Sequence, residues 1–205
     1  MRNRIQTPLL LLLVIATAII VPAAARAQAA PATDNSAAPE LALTYTYAHS
    51  NAPPGGCGCF SLNGGSISIA VPIRHSAWSV AGDMTLARAS NISAAGYDLN
   101  LSIFTGGIRY RPVLHSRTFQ PFAEALAGPA FSSGSLMFSQ QITNNNSNLA
   151  FSANLGGGVD LRVNHSFSFR LAEADYLLTT FDNGSNNHQN NFRISGGAVV
   201  HFGKQ

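Results

Sequence analysis

Between Leu41 and Phe202 apolar residues recur at every second position in eight segments separated by stretches rich in Asn, Ser and Gly. A period of two places successive side chains on opposite faces of an extended chain, so these segments read as strands. The clearest runs from Leu149 to Val163, where Leu149, Phe151, Ala153, Leu155, Gly157, Val159, Leu161 and Val163 share one face. The other face carries Ala150, Ser152, Asn154, Gly156, Gly158, Asp160 and Arg162. Eight such strands, with one apolar and one polar face, predict an all-β, antiparallel, up-and-down transmembrane barrel whose apolar face meets lipid.

The same pattern sets the strand limits. Strand one covers Leu41 to His49, strand two Gly65 to Ile73, and strand three starts at Trp78 with Asp83 facing in. Strand four spans Leu99 to Arg111, strand five starts near Phe119, and strand six ends near Val163. Strand seven covers Ser166 to Phe181, and strand eight closes at Phe202. Short turns at His75, His115 and His165 alternate with longer loops around Cys57, Ile92, Asn145 and Asn187, which predicts periplasmic turns and extracellular loops. Each turn carries a His-Ser pair, read as exposed turn residues rather than as a proton-sensing rim.

Two strands break their own parity. Continuing the face of Phe167, Phe169 and Leu171 would set Glu173 and Asp175 against lipid, at a cost of kilocalories per charge. A β-bulge between Leu171 and Glu173 is therefore expected. A similar shift is expected at Gly106-Gly107, turning Arg109 and Arg111 inward or to the rim and Ile108 and Tyr110 outward. The inward set then contains Asp83, Glu124, Asp160, Glu173 and Asp175 with Arg109, Arg162, Arg170 and Arg193, expected to form an ion-pair network that plugs a polar lumen.

Composition supports the membrane reading. Charged residues make up 10% of the chain, against roughly 25% in soluble domains. Arg2 and Arg4, the apolar run Leu9 to Val21 and Ala25-Arg26-Ala27 have the layout of a secretory signal over residues 1–27. Residues 28–39 read as a flexible periplasmic leader and 40–205 as the barrel domain. The formal charge of +3 rests on Arg2, Arg4 and Arg26, so the exported chain is neutral and has no basic patch for nucleic acid.

Gly106-Gly107-Ile108-Arg109-Tyr110-Arg111-Pro112, Gln120-Pro121-Phe122-Ala123-Glu124 and the closing stretch Phe192 to Phe202 resemble the OmpA/OmpX-type eight-stranded outer-membrane barrel family. The resemblance implies residence in the outer membrane of a Gram-negative-type bacterium. It also implies a last strand read by the barrel-assembly machinery, here Ile194, Ala198, Val200 and Phe202. Members of the family stabilise the envelope, adhere or bind ligands, and some related barrels modify lipids.

Candidate chemistry is sparse. Cys57 and Cys59, in an exported loop, are candidates for a disulfide across a single glycine, with free thiols, an intermolecular bridge and a soft-metal site as alternatives. His49 and Ser50 are adjacent and so point to opposite faces of a strand, and His188 lies in a loop near Asp182. No catalytic residue, cofactor or metal ligand set is expected. The expectation is a monomeric, non-enzymatic barrel with outer-membrane lipid around it and the Asn-rich loops 132–148 and 182–190 as the surface for an unknown ligand. The alternatives are a narrow pore, a lipid-modifying enzyme and a soluble periplasmic ligand-binding barrel.

Overall fold

The computed structural model describes residues 38–50, 60–73, 76–92, 97–112, 114, 118–134, 148–181 and 188–203. The signal segment, all of the leader before Ala38, the Cys57–Cys59 pair and most of the loops lie outside these residues.

Eight strands follow one another in the chain: β1 Glu40–Ser50, β2 Phe60–Pro72, β3 Trp78–Ile92, β4 Tyr97–Tyr110, β5 Phe119–Gly134, β6 Asn148–Arg162, β7 Phe167–Thr179 and β8 Gln189–His201. Each pairs antiparallel with its sequence neighbours, and β1 pairs with β8 from Glu40↔His201 to Ser50↔Asn191, closing the barrel. Closure leaves no strand edge unpaired, the condition for extended chain to sit in hydrocarbon.

The outer wall is apolar, with Leu43, Ile67, Ile69, Val80, Leu86, Leu149, Leu155 and Leu171 among the exposed side chains. Leu155 has 65% of its surface exposed, and a continuous apolar wall of such positions suits contact with lipid. Aromatic side chains gather towards both ends of the wall. Trp78 packs on Tyr110 at 4.8 Å and Phe167 on Phe169 at 4.9 Å near the turns. Towards the loops, the Tyr45 and Tyr176 hydroxyls donate to Asn63 and Asn190, and the Tyr47 and Ser61 hydroxyls pair. Such girdles mark the two interfaces of a membrane barrel.

The expected bulge in β7 is present. Asp160 faces Arg170 but Val159 faces Ala172, and Arg170 faces Gly197 while Glu173 faces Ser195, so one extra residue is absorbed between Arg170 and Glu173. Leu171 and Ala172 both face outward, and Glu173 and Asp175 return to the interior.

Strand β4 corrects the reading of the sequence. Pairing with β3 runs without offset through Gly82↔Gly106 and Ala81↔Gly107, so there is no shift at the two glycines. Instead Leu99, Leu101 and Ile103 face inward on the same parity as Arg109. They join Ala48, Phe60, Leu62, Ile92, Leu177 and Phe181 in a buried apolar cluster inside the loop-side half of the barrel. Asn100 is exposed on the outer wall. The loop-side half of the lumen is therefore largely apolar, with the buried polar side chains of Ser50, Ser132, Thr179, Gln189 and Asn191 beside the cluster. The real irregularity in this hairpin lies between Ala89 and Ile92, where Asn91 adopts φ 57°, a left-handed conformation that Asn tolerates.

Candidate functional site: the charged interior

The parity of β3 to β8 projects charged side chains from different strands into one layer. Arg109 of β4 and Glu124 of β5 are direct register partners, as are Asp175 of β7 and Arg193 of β8. Arg109 donates from Nε and Nη2 to Glu124 Oε2 at 2.9 and 2.7 Å, and its Nη1 reaches Glu40. Arg170 bonds Asp160 Oδ1 at 2.9 Å and Glu173 Oε2 at 2.7 Å. Arg193 bonds Asp175 Oδ2 at 2.8 Å, Asp83 Oδ1 at 3.0 Å, Thr85 Oγ1 at 2.7 Å and, at 3.3 Å, Glu173 Oε1. All of these side chains are buried. Desolvating a charge costs several kilocalories per mole, and this cost is offset only where every ion has partners at good geometry.

Three members, Glu40, Arg111 and Phe122, were not assigned to the network from the sequence. Glu40 receives Arg109 and Arg111, and Arg111 Nη2 also bonds Asp160 Oδ2 at 2.9 Å. Glu40 shares the parity of Ala42, Thr44 and Thr46, so the signal was present one residue ahead of the apolar run. Phe122, on the same face as Glu124, is the third omission. Its ring carries the guanidinium groups of Arg109, Arg111 and Arg170 at 4.7, 5.4 and 4.3 Å from its centroid.

Arg162 departs from its expected place. It sits at the turn-side rim, donating to the Asn164 carbonyl at 3.3 Å and approaching His165, because β6 ends at that residue.

One grouping looks like a catalytic triad. Ser168 Oγ lies 2.9 Å from His201 Nε2, and His201 Nδ1 lies 3.8 Å from Glu40 Oε2. The last separation is too long for the hydrogen bond that orients a catalytic imidazole. Glu40 is occupied by two arginines, and Ser168 has 0% of its surface accessible to a substrate. His49 is exposed on the outer wall while its neighbour Ser50 is buried inside, so this pair forms no dyad. His188 is exposed.

The chain forms a closed eight-stranded antiparallel barrel with an apolar outer wall and a charged interior, and the family model for the outer membrane protein beta-barrel domain matches residues 11–202. The chain belongs to the outer membrane protein β-barrel domain family. Among solved structures this outer-membrane barrel is similar to Neisserial surface protein A, with TM-score 0.57 and 17% identity over 80% of this chain and 97% of that one. It is also similar to Ail, the attachment invasion locus protein of Yersinia pestis, with TM-score 0.47 and 17% identity over 80% of this chain and 98% of that one. At these identities the likeness is one of fold. Among curated proteins, nothing matches the sequence. The OmpA/OmpX-like reading of the sequence is borne out by the family and by the strand count.

Proposed function

We infer that this outer-membrane barrel is non-enzymatic and closed to solutes, and that it acts from its outer surface by stabilising the envelope or by presenting its loops to a ligand. The observation that carries this reading is the division of the lumen. Its turn-side half is filled by the Arg109, Arg111, Arg170 and Arg193 network, and its loop-side half by the apolar cluster around Leu101 and Ile103. A water file crossing the lumen would have to part buried ion pairs and then pass the buried apolar cluster, and each is costly. The same filling leaves no space for an organic substrate beside the interior carboxylates.

Export fits the remaining features. Residues 1–27 supply the signal, and the outward row Ile194, Ala198, Val200 and Phe202 supplies the strand that the barrel-assembly machinery would read. The protein then stands as a monomer in outer-membrane lipid, with loops 132–148 and 182–190 facing the surroundings.

Planar-bilayer recording of the purified barrel tests closure directly. The expected trace is flat, and stepwise ion conductance would overturn the closed-lumen reading in favour of a narrow pore. Incubation with lipid A and phospholipid should leave both unchanged; a shortened or transferred acyl chain would restore the enzyme alternative.

A further inference from the structure

Among the described residues the interior network sets six carboxylates, Glu40, Asp83, Glu124, Asp160, Glu173 and Asp175, against four guanidiniums, Arg109, Arg111, Arg170 and Arg193. The imbalance is local. Asp83, Glu173 and Asp175 all converge on Arg193, while Glu124 stands beside them with Arg109. Oxygens of Glu124, Glu173 and Asp175 approach within 4.8 Å of one another. Like charges this close, out of water, are relieved by a positive partner beyond the arginines or by taking up a proton.

The geometry leaves room for that partner. Arg109 takes only Oε2 of Glu124, and Arg193 takes only Oδ2 of Asp175. Asp175 Oδ1 is buried with no hydrogen-bond partner, in a residue 1% exposed. Its direction is fixed by the register. Gly156 of β6 stands between the two acids, paired with Glu124 on one side and Asp175 on the other. A Cβ on Gly156 would lie 2.1 Å from Asp175 Oδ1, so this oxygen leans over the glycine into the gap towards Glu124. Two residues before Gly156, on the same inner face, Asn154 Oδ1 is a second buried acceptor without a donor.

We propose that the barrel interior binds one hard divalent cation, Ca²⁺ or Mg²⁺, at Glu124, Glu173 and Asp175. An all-oxygen donor set suits these ions rather than softer metals, which seek thiolate or imidazole. The two charges of one such ion equal the formal excess of carboxylates over guanidiniums. The sequence alone gave no expectation of a metal, because the three acids come from β5 and β7 and meet across the glycine gap in β6.

The full chain, extracted from membranes into lipid-free detergent so that lipopolysaccharide phosphates do not contribute, is stripped with EDTA. It is then titrated with CaCl₂ and, separately, MgCl₂ by calorimetry. The expected result is saturable uptake of about one equivalent per barrel, lost in Asp175→Asn and Glu124→Gln but kept in the exposed control Asp98→Asn. Localisation does not depend on those variants folding. Mn²⁺ added to the wild-type barrel should first broaden the backbone amide signals of Glu124, Gly156 and Asp175. Absence of uptake, uptake that survives both interior substitutions, or broadening confined to the loops overturns the proposal. So does thermal unfolding that follows pH but neither ion, since protons would then be what neutralises the acids.

Discussion

At the residue scale, each side chain is judged by the face it occupies. Leu155 faces outward with 65% of its surface exposed. In a soluble protein Leu155→Arg would change stability by less than about 0.5 kcal/mol. Against hydrocarbon it should cost roughly 2–4 kcal/mol, measured by urea unfolding of the barrel in phospholipid vesicles. Asp160 lies on the opposite face, has 0% exposure and holds both Arg111 and Arg170. Asp160→Asn keeps the shape and removes the charge, leaving two guanidiniums short of a partner, and should cost roughly 3–5 kcal/mol. Arg162→Gln at the rim should cost no more than about 1 kcal/mol. If the two substitutions weaken the barrel equally in the same unfolding assay, Asp160 is not held as the contacts indicate.

At the scale of the element, the bulge in β7 is what reconciles an apolar outer row with two interior acids. Deleting Ala172 removes the extra residue, so Arg170, Glu173 and Asp175 all face inward in strict alternation. The register on β8 then runs without offset, because Arg170 and Glu173 face Gly197 and Ser195, which are two residues apart. Regular pairing of the full-length strand would instead turn the two acids to hydrocarbon, at a few kilocalories per mole per group. The deletion should therefore keep the heat-sensitive gel mobility of the folded barrel, as should Ala172→Val; loss of that mobility in the deletion would show that the bulge does more than set parity. This bulge was legible in the sequence because misplaced carboxylates are conspicuous. The regular course of β4 was not, because Leu99, Leu101 and Ile103 are as apolar as lipid-facing residues and parity alone does not distinguish a dry interior from a membrane. Only the neighbouring strands, which bring Leu62, Ile92 and Leu177 to the same place, settle their side.

At the scale of the whole molecule, the fold was legible and the interior partly so. Period-two segments, turn lengths and low charge specify a membrane barrel, and parity specifies which acids face in. The pairing of those acids depends on register, which local sequence does not encode, and so Glu40, Arg111 and Phe122 were left out of the network while Arg162 was placed too deep. The two layers of the lumen also act independently. Ile103→Ala should open a cavity and cost about 2–5 kcal/mol, yet the Arg109–Glu124 layer beneath stays shut, so bilayer recordings of this variant should remain flat. Conductance from that single truncation would show that the apolar cluster alone is the barrier.

Trp78 is the only tryptophan in the chain, and it lies on the outer wall against the Tyr110 ring, 4.8 Å between centroids. The barrel thus carries a built-in fluorophore at one membrane interface, free of overlapping emission from a second indole. Quenchers attached at graded depths along lipid tails would read the immersion of that rim in ångströms, and the arrival of the β3–β4 hairpin in the bilayer could be timed during refolding without any label.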